Sequence, residues 1–394
     1  MTKMSTDGNG HPGCVDQPPV NGHPGCVDQP PVNRHPGCVD QPPVNGQPGC
    51  VDQPPVNGHP GCVDQPPVNG HPGSVDQPPV NRHPGSVDVK VTVLVMTYNH
   101  AGFIAQALDS TLAQRTAFEY EILISEDCST DGTRETVIAY GRKHPGKIRL
   151  LLSEQNIHGN AVVSRGINAA RGEYIALLDG DDYWISPDKV QKQVDFLDAH
   201  PDCSICFHNA RVIHEDGSKA PWNWNSEHQA RFSSFEDIWM GNFITLCSTM
   251  FRRRALGELP RWYDGMALTD WPLHVLNARS GRIGYIDEVM CVYRHHSGGA
   301  YSSLTEWNKL ERTLQFYLSM NSNLNYRCDR LIRTAMSRYF FEWAQEYANR
   351  GDRTHARKCF KTSLKGRPIN QYISGKQLLK MFSRLYLRMP RNTA

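Results

Sequence analysis

Long apolar runs are absent from the sequence: none approaches the roughly twenty residues that span a bilayer, and the first residues lack the apolar stretch of a secretory signal. A strong charge imbalance is absent too, because the formal net charge is +2. The basic segments carry no helix-turn-helix or aromatic-interleaved pattern, which argues against a nucleic-acid partner. We therefore expect a cytoplasmic protein that does not bind nucleic acid.

The first 88 residues contain few large apolar side chains. From His11 a twelve-residue unit rich in proline and glycine repeats with small changes and stops at Asp88. Each unit offers two valines as apolar bulk, too little to offset the entropy lost on ordering its backbone. We therefore predict that residues 1–88 are disordered repeats.

Cysteines are present, but they are not grouped as metal ligands are. Five of the 12 recur at the same position of the repeat, where a metal or disulfide role is conceivable but duplication of a tolerated tail explains the spacing better. Cys203 and Cys206 lie in a strand-like run and face opposite sides of it. We interpret this pair as buried apolar side chains.

From residue 89 the pattern changes to alternating strand-like and helix-like segments. The run at 89–96 is rich in β-branched residues, as buried parallel strands are. Three further strand-like runs follow, with helix-like runs between them; the strands are 120–125, 148–152 and 174–178, and the helices are 102–114, 133–143 and 161–170. This βαβαβαβ order predicts an α/β fold, a mostly parallel sheet flanked by helices.

Elements of mixed type are predicted after the fourth strand. They are helices at 187–199 and 270–278, strands at 204–213 and 245–251, and paired strands over 282–293. From residue 304 the spacing is helical, and residues 344–364 resemble one tetratricopeptide-like hairpin. The chain thus divides into repeats at 1–88, a sheet domain at 89–303 and a basic helical extension at 304–394.

The helical extension carries most of the positive charge: from Lys309 onward the chain has 18 lysines and arginines against five acidic residues. Its last segment, 378–388, places apolar residues at helical spacing with Lys and Arg between them. A helix that lies on an anionic membrane has this pattern, and so does an amphipathic helix packed on the protein. The first alternative predicts peripheral association with the inner face of the cytoplasmic membrane.

Three carboxylates follow the fourth predicted strand. Asp179, Asp181 and Asp182 surround Gly180, and two carboxylates one residue apart at a strand-to-loop turn can chelate one cation. Hard oxygen ligands suit Mg or Mn. An acidic turn that caps the next helix would look similar, but polar clusters also follow the first two strands, and ligands of parallel sheets bind at this edge. These clusters comprise Thr97, Tyr98, Asn99, Glu126 and Asp127.

Four segments resemble family 2 glycosyltransferases of the GT-A fold, in the same order along the chain: 96–99, 124–133, 165–172 and 177–184. The resemblance spans about 89–303. It implies a GT-A nucleotide-diphospho-sugar transferase fold, with a nucleoside diphosphate bound at the edge of the sheet.

The resemblance also implies residue roles on the donor side. Thr97 and Tyr98 would line the base and ribose pocket, and Asp127 would accept a hydrogen bond from the base ring. Glu126 stands where many relatives have Asp. The other donor-binding candidates from these motifs are Asn99, Arg165, Asp179 and Gly180.

A divalent metal, Mn or Mg, would lie on the diphosphate by the same resemblance. Asp181 of the Asp-x-Asp element would hold it together with Asp179, which would also lie near the ribose, and Asp182 would support either role. His296 ends a Tyr-Arg-His-His segment that is similar to the relatives' Tyr-Arg-x-His, which implies a third ligand, although a purely structural histidine is as good a reading. The cation would offset the charge that develops on the departing diphosphate.

The acceptor hydroxyl must lose a proton, and a carboxylate can take it. Asp270, at the start of a predicted helix, is our candidate for this general base; relatives usually have a Glu-Asp pair here, whereas Thr269 precedes it in this chain. As an alternative, Asp270 could cap that helix. Trp222 and Trp224 lie where such enzymes hold the acceptor, and they could either stack on sugar rings or pack the loop.

These motifs predict an inverting, metal-dependent transfer of a sugar, a UDP-sugar being favoured as donor, to a glycan or lipid-linked acceptor in cell-surface polysaccharide biosynthesis. A catalytically inactive, glycan-binding or scaffolding module is the alternative, and the intact Asp-x-Asp with Asp270 argues against it. Nucleotidyl transfer would require a glycine-rich, lysine-bearing loop after the first strand. Residues 97–101 do not form such a loop.

Overall fold

The computed structural model describes residues 89–387. The prediction of disorder for 1–88 lies outside the described residues. Within 89–387 ten strands form one sheet: β1 (Val91–Thr97), β2 (Tyr120–Glu126), β3 (Ile148–Leu152), β4 (Tyr174–Asp179), β5 (Tyr183–Trp184), β6 (Cys203–His214), β7 (Trp222–Asn223), β8 (Phe232–Ser233), β9 (Met250–Arg252) and β10 (Arg282–His295).

Helices flank the sheet and continue beyond it to residue 386. In chain order they are α1 (Ile104–Leu112), α2 (Thr133–Lys143), α3 (Ala161–Ala169), α4 (Lys189–Ala199), α5 (Phe235–Met240), α6 (Arg253–Leu256), α7 (Asp270–Ala278), α8 (Glu306–Asn323), α9 (Asp329–Asn349), α10 (Arg353–Leu364) and α11 (Gly375–Tyr386). Among the helices of 89–387, none combines the length and the apolar character that crossing a bilayer requires.

The first half of the sheet is parallel, as its sequence pattern predicts. Every residue of β1 is buried, which explains why its apolar and β-branched run does not alternate with polar residues. β1 pairs in parallel with β2 and β4, and β2 pairs in parallel with β3. The register sets Thr97 beside Glu126 and Met96 beside Asp179, so the strands end at one edge.

The second half of the sheet differs from the expectation in two places. Residues 282–293 do not form paired strands; they belong to the single strand β10, which runs parallel to β6 and absorbs irregularities as bulges between Ile286 and Cys291. The predicted strand at 245–251 begins instead with a 3₁₀ turn, Leu246–Ser248, because the Thr245 carbonyl accepts hydrogen bonds from the side chains that follow it. Only β9 remains of that strand, antiparallel to β4 and β6.

The helices after residue 304 share a core with the sheet. One apolar cluster joins side chains of β1, β4 and α7 to side chains of α8, α9 and α10. At its centre Trp271 of α7 stacks on Phe316 of α8, with ring centroids 4.4 Å apart. The segment for which a tetratricopeptide-like hairpin is predicted forms the end of α9 and α10. These helices therefore support α7 and its first residue, Asp270.

Candidate active site

The acidic turn lies at the carboxyl end of β4. Asp179 is the last residue of that strand, and one carboxylate oxygen each of Asp179, Asp181 and Asp182 lies within 4.8 Å of the others. Gly180 permits this turn, because a Cβ there would lie 2.6 Å from Thr97 Oγ1 and 2.8 Å from His100 Nδ1. Three convergent oxygen donors at this spacing fit a single divalent cation.

Two histidines face Asp181. Its Oδ2 lies 3.0 Å from His296 Nε2 and 3.6 Å from His100 Nε2. The position of His296 agrees with its predicted place in the site, while its role as a ligand stays a prediction. His100 was not expected from the sequence, although it directly follows the polar cluster at the end of β1 and could have been found by extending that cluster by one residue.

Asp182 is buried and fixed by the end of β10. Its Oδ1 accepts a hydrogen bond of 2.9 Å from the backbone N–H of Arg294. The guanidinium of Arg294 in turn donates to the carbonyl of Asp181 at 2.7 Å and lies 2.7 Å from Glu215. Arg294 thus holds the backbone of the acidic turn and brings His296, two residues further along, to the same place.

The carboxylates are poorly compensated by the protein's own charges. Burial, followed by repulsion from Asp181 and Asp270, raises the pKa of Asp179 well above its usual range, and burial raises that of Asp182 in the same way. At Asp181 burial is outweighed by the hydrogen bond with His296 and by the charges of His100 and His296, so its pKa is lowered. Carboxylates that repel one another in this way are stabilised by a bound cation.

Asp270 is the first residue of α7 and lies close enough to Asp179 to raise its pKa. Its Oδ1 accepts from the Trp271 N–H and its Oδ2 from Asn242 Nδ2, both at 2.7 Å. Burial raises the pKa of Asp270, and these two hydrogen bonds partly offset that effect. The N-cap of the helix is Thr269, so Asp270 does not occupy the cap position.

Asn242 connects Asp270 to a buried histidine. His274 Nδ1 lies 3.2 Å from Asn242 Oδ1 and must donate, because an amide oxygen only accepts. Burial lowers the pKa of His274 to about 3, which keeps its ring neutral. The contact with His274 therefore orients the amide of Asn242, so that its Nδ2 faces Asp270 and donates to it. No sequence motif marks Asn242, so this support was missed.

Asn160 is a second support that the sequence did not indicate. Its buried side-chain amide donates to the carbonyls of Tyr263 and Leu268 at 2.9 and 3.0 Å and accepts from Thr269 Oγ1 at 2.6 Å. It thereby ties the residue before α3 to the loop that leads into Asp270. This side chain is therefore one link between the donor half of the sheet and the predicted base.

The predicted donor residues at the end of β1 differ in exposure. Thr97 is buried beside Gly180, whereas Tyr98 and Asn99 are exposed. Asn99 has a positive φ of 55°, which asparagine tolerates better than most residues. Its Oδ1 accepts from the Thr130 N–H at 2.9 Å. Tyr98 is therefore the member of this cluster that is free to contact a ligand over a large surface.

Three other donor candidates are already engaged within the protein. Asp127 accepts from the N–H groups of Ile157 and His158, at 2.8 and 3.1 Å. Glu126 is buried and paired with Arg134, and Arg165 donates to the side chain of Ser125 and to carbonyls at the ends of β2 and β3. All three residues lie at the carboxyl edge of the sheet. Their hydrogen bonds there stabilise the strand ends and the loop 153–158.

The predicted acceptor tryptophans lie beside the end of β10. Trp222, in β7, packs its ring 5.5 Å from that of His214, and Trp224 meets Tyr293 edge-on at 5.9 Å. Both are partly buried. Their contacts are with residues of β6 and β10, so the structure places them next to the strand that carries Arg294 but shows no contact with the carboxylates within the described chain.

Comparison with known proteins assigns the chain to a protein family. The family model for glycosyl transferase family 2 matches residues 92–259. An uncharacterised glycosyltransferase of Nostoc is 31% identical over 229 residues, which cover 55% of this chain and 67% of that protein. The chain belongs to the family 2 glycosyltransferases. It is accordingly a transferase, and the resemblance of its motifs to this family is confirmed.

Two other relatives align with between half and two thirds of this glycosyltransferase. An uncharacterised protein of Mycobacterium tuberculosis is 38% identical over 218 residues, or 54% of this chain, and the match spans 61% of that protein's length. The putative teichuronic acid biosynthesis glycosyltransferase TuaG of Bacillus subtilis is 26% identical over 230 residues, with 58% of this chain and 86% of TuaG covered.

A solved structure supports the fold. The crystal structure of Staphylococcus aureus TarS is similar with a TM-score of 0.51 over 75% of this chain and 52% of TarS, at 16% sequence identity. At that identity the likeness concerns the fold alone. With the family assignment it confirms the predicted GT-A fold for the sheet and its flanking helices.

Proposed function

We propose that this glycosyltransferase transfers a sugar from a nucleoside-diphosphate donor, a UDP-sugar being favoured, to a glycan or lipid-linked acceptor, with metal dependence and inversion. The observation that carries the proposal is the convergence of three carboxylates within 4.8 Å at the carboxyl edge of the sheet, with Asp270 close enough to perturb one of them. Parallel α/β sheets bind their ligands at this edge.

The donor side of the proposal rests on Asp179, Asp181 and His296 as ligands for Mn or Mg. When bound, the cation would offset negative charge that develops on the leaving diphosphate. His100 lies 3.6 Å from Asp181 and could orient that carboxylate. Arg294 keeps the acidic turn in place through its bond to the Asp181 carbonyl. Exposed Tyr98 is available to pack against the nucleoside.

On the acceptor side, Asp270 would take the proton of the attacking hydroxyl. The hydrogen bonds from Asn242 and from the Trp271 N–H use one lone pair on each oxygen of Asp270, so acceptor capacity remains. Asn242 fixes the orientation of the carboxylate, which a general base requires. A non-catalytic glycan-binding module would have no need for a carboxylate held in this way beside a metal-ligand cluster.

The setting we propose is the synthesis of a cell-surface polysaccharide. TuaG, a relative that this chain matches over 86% of its length, is named as a putative glycosyltransferase of teichuronic acid biosynthesis. Trp222 and Trp224 are partly exposed residues next to β10, and aromatic side chains stack well on sugars. We assign them to the acceptor on this basis.

Calorimetric titration of UDP, GDP and CDP into the purified full chain tests the donor proposal. We expect UDP to bind in the presence of Mn and to lose most of its affinity when a chelator is added. Binding of GDP or CDP instead would change the donor and leave the reaction class intact. If none of the three binds to a folded sample with metal present, the non-catalytic alternative is the better one.

A further inference from the structure

The exposed apolar side chains of the described chain are unevenly distributed. Monomeric proteins usually scatter such side chains singly over the surface. Here six of the ten large ones that are exposed fall within one stretch of 24 residues at the C-terminal end: Leu364, Ile369, Tyr372, Leu379, Phe382 and Leu387.

Positive charge covers the same stretch. Residues 364–387 include five lysines and arginines and no aspartate or glutamate. Several of these cations are exposed, among them Lys365, Arg367, Lys376 and Lys380. We call α11 and the loop 365–374 before it the C-terminal surface. Its composition, apolar and cationic without carboxylates, differs from the rest of a chain whose formal net charge is only +2.

Helix α11 is tied to α9 and α10 by hydrogen bonds of Arg384 and Arg357, and it has two apolar stripes. A capping box between Ser374 and Gln377 fixes its first turn. Met381 and Leu385 are buried against the protein, which accounts for one stripe. Leu379 and Phe382, three residues apart, form the second stripe; the Phe382 ring stacks on that of Tyr386, which itself packs on the core, with ring centroids 4.9 Å apart.

Within residues 89–387, Leu379 and Phe382 are not among the side chains that pack on the apolar clusters. Leu379 is 70% exposed in the middle of a capped helix. Lys376 and Lys380 precede and follow it within one turn. The sequence left two alternatives for this segment, a helix packed on the protein and a helix on an anionic membrane. Helix α11 has a face for each, since one stripe packs on the protein while the other faces outward between cations.

We propose that the C-terminal surface binds the anionic surface of a lipid bilayer, with Leu379 and Phe382 inserted below the headgroups and the lysines beside the lipid phosphates. A helix of this kind gains apolar burial and electrostatic attraction together. A second copy of the chain is a poorer occupant, because pairing two such surfaces would oppose like charges without any carboxylate to separate them. This inference goes beyond sugar transfer and does not depend on it.

Flotation of the full chain with vesicles tests the proposal directly. We expect the protein to float with vesicles that contain phosphatidylglycerol and to remain unbound with vesicles of pure phosphatidylcholine. Raising the ionic strength should weaken the binding, because salt screens exposed charges. Equal binding to both kinds of vesicle would overturn the proposed role of the cations.

Substitutions separate the two contributions. Leu379→Asp should lower the vesicle partition coefficient at least about tenfold, the order expected for one leucine removed from an apolar environment. Lys376→Gln with Lys380→Gln should lower it by roughly 25-fold, about fivefold for each charge near the surface. The matched control is Leu318→Asp, because Leu318 is 51% exposed on α8, outside the C-terminal surface. It should bind like the wild type.

Three results would contradict the proposal. The first is an equal loss for Leu318→Asp and Leu379→Asp. The second is a wild-type dimer, seen by sedimentation, that Leu379→Asp dissociates while vesicle binding is unchanged. The third is binding to a soluble polyanion that survives Leu379→Asp while vesicles do not bind. Circular dichroism confirms folding of each variant, and no readout requires sugar transfer, so a wrong donor would leave these outcomes unaffected.

Discussion

Asp181 differs from its two acidic neighbours in what surrounds it. Asp179 and Asp182 are raised in pKa by burial, whereas Asp181 is lowered, because it alone faces two imidazole rings. The cluster therefore contains one carboxylate that stays ionised most readily. We expect it to contribute most to metal binding.

Replacing Asp181 by asparagine keeps the shape of the side chain and removes its charge. Asp181→Asn should lower metal-dependent turnover by roughly 10²- to 10³-fold, the order seen when a charge-stabilising group is lost from an active site. The midpoint of thermal unfolding should not fall. Initial rates over a Mn titration, with calorimetry for the fold, measure both, and Asp195→Asn on the surface of α4 is the control. An active Asp181→Asn enzyme would exclude the proposed metal role.

Asn242 should set the pH range in which Asp270 acts as a base. Removing the amide with Asn242→Ala withdraws a 2.7 Å hydrogen bond from the carboxylate, so the pKa of Asp270 should rise further. A base is active when ionised, so the acid limb of the kcat/KM profile should move to higher pH, by about one unit. Asn242→Ser, which can still donate, should restore part of the shift. A uniform fall in activity with an unmoved limb would assign Asn242 a purely structural role.

At the scale of elements, the local sequence pattern predicted the strands and helices whose formation depends on nearby residues. The first four strands and the helices between them lie within a few residues of their predicted bounds, because buried β-branched runs and helical spacing are visible in short windows. The start of α7 at Asp270 is likewise as predicted. The single strand β10 was not, since its pairing with β6 joins residues about 80 positions apart, which no window of sequence reveals.

The same limit applies to the site. Side chains that belong to a family motif, such as Asp181 and His296, could be placed from the sequence. Asn160, Asn242 and His274 could not, because each acts through contacts made across the fold. Donor and acceptor roles for the remaining residues stay predictions.

Packing of β1 against β4 requires glycine at position 172. A Cβ there would lie 2.3 Å from the backbone nitrogen of Thr92 and 2.6 Å from the carbonyl carbon of Val91, and backbone cannot yield as a side chain can. Gly172→Ala should therefore lower the free energy of unfolding by about 3 kcal/mol. Gly102→Ala, where no atom lies within 4 Å, should change it by less than about 0.5 kcal/mol. Urea unfolding measures both; equal effects would refute the packing argument.

At the scale of the whole molecule, the described core begins at Val91. Both apolar clusters are made of residues from 91 onward within 89–387. Because each repeat of residues 1–88 offers only two valines as apolar bulk, we predict that deleting residues 1–88 leaves the thermal midpoint and the rate of sugar transfer close to those of the full chain. Deleting residues 1–97, which also removes β1, should prevent folding and serves as the matched control. An unstable or inactive 89–394 protein would show that the repeats contribute to the fold.

The stacking of Trp271 on Phe316 has a consequence for protein engineering. The family model ends at residue 259, and it is tempting to treat the sheet as a cassette that can be exchanged between enzymes. Here the residue next to the proposed base rests on a ring supplied by α8. A chimera that keeps this chain only up to residue 303 would lack the Phe316 ring, and its new C-terminal part would have to supply another aromatic ring against Trp271. The exchangeable unit of this glycosyltransferase therefore includes its helical extension.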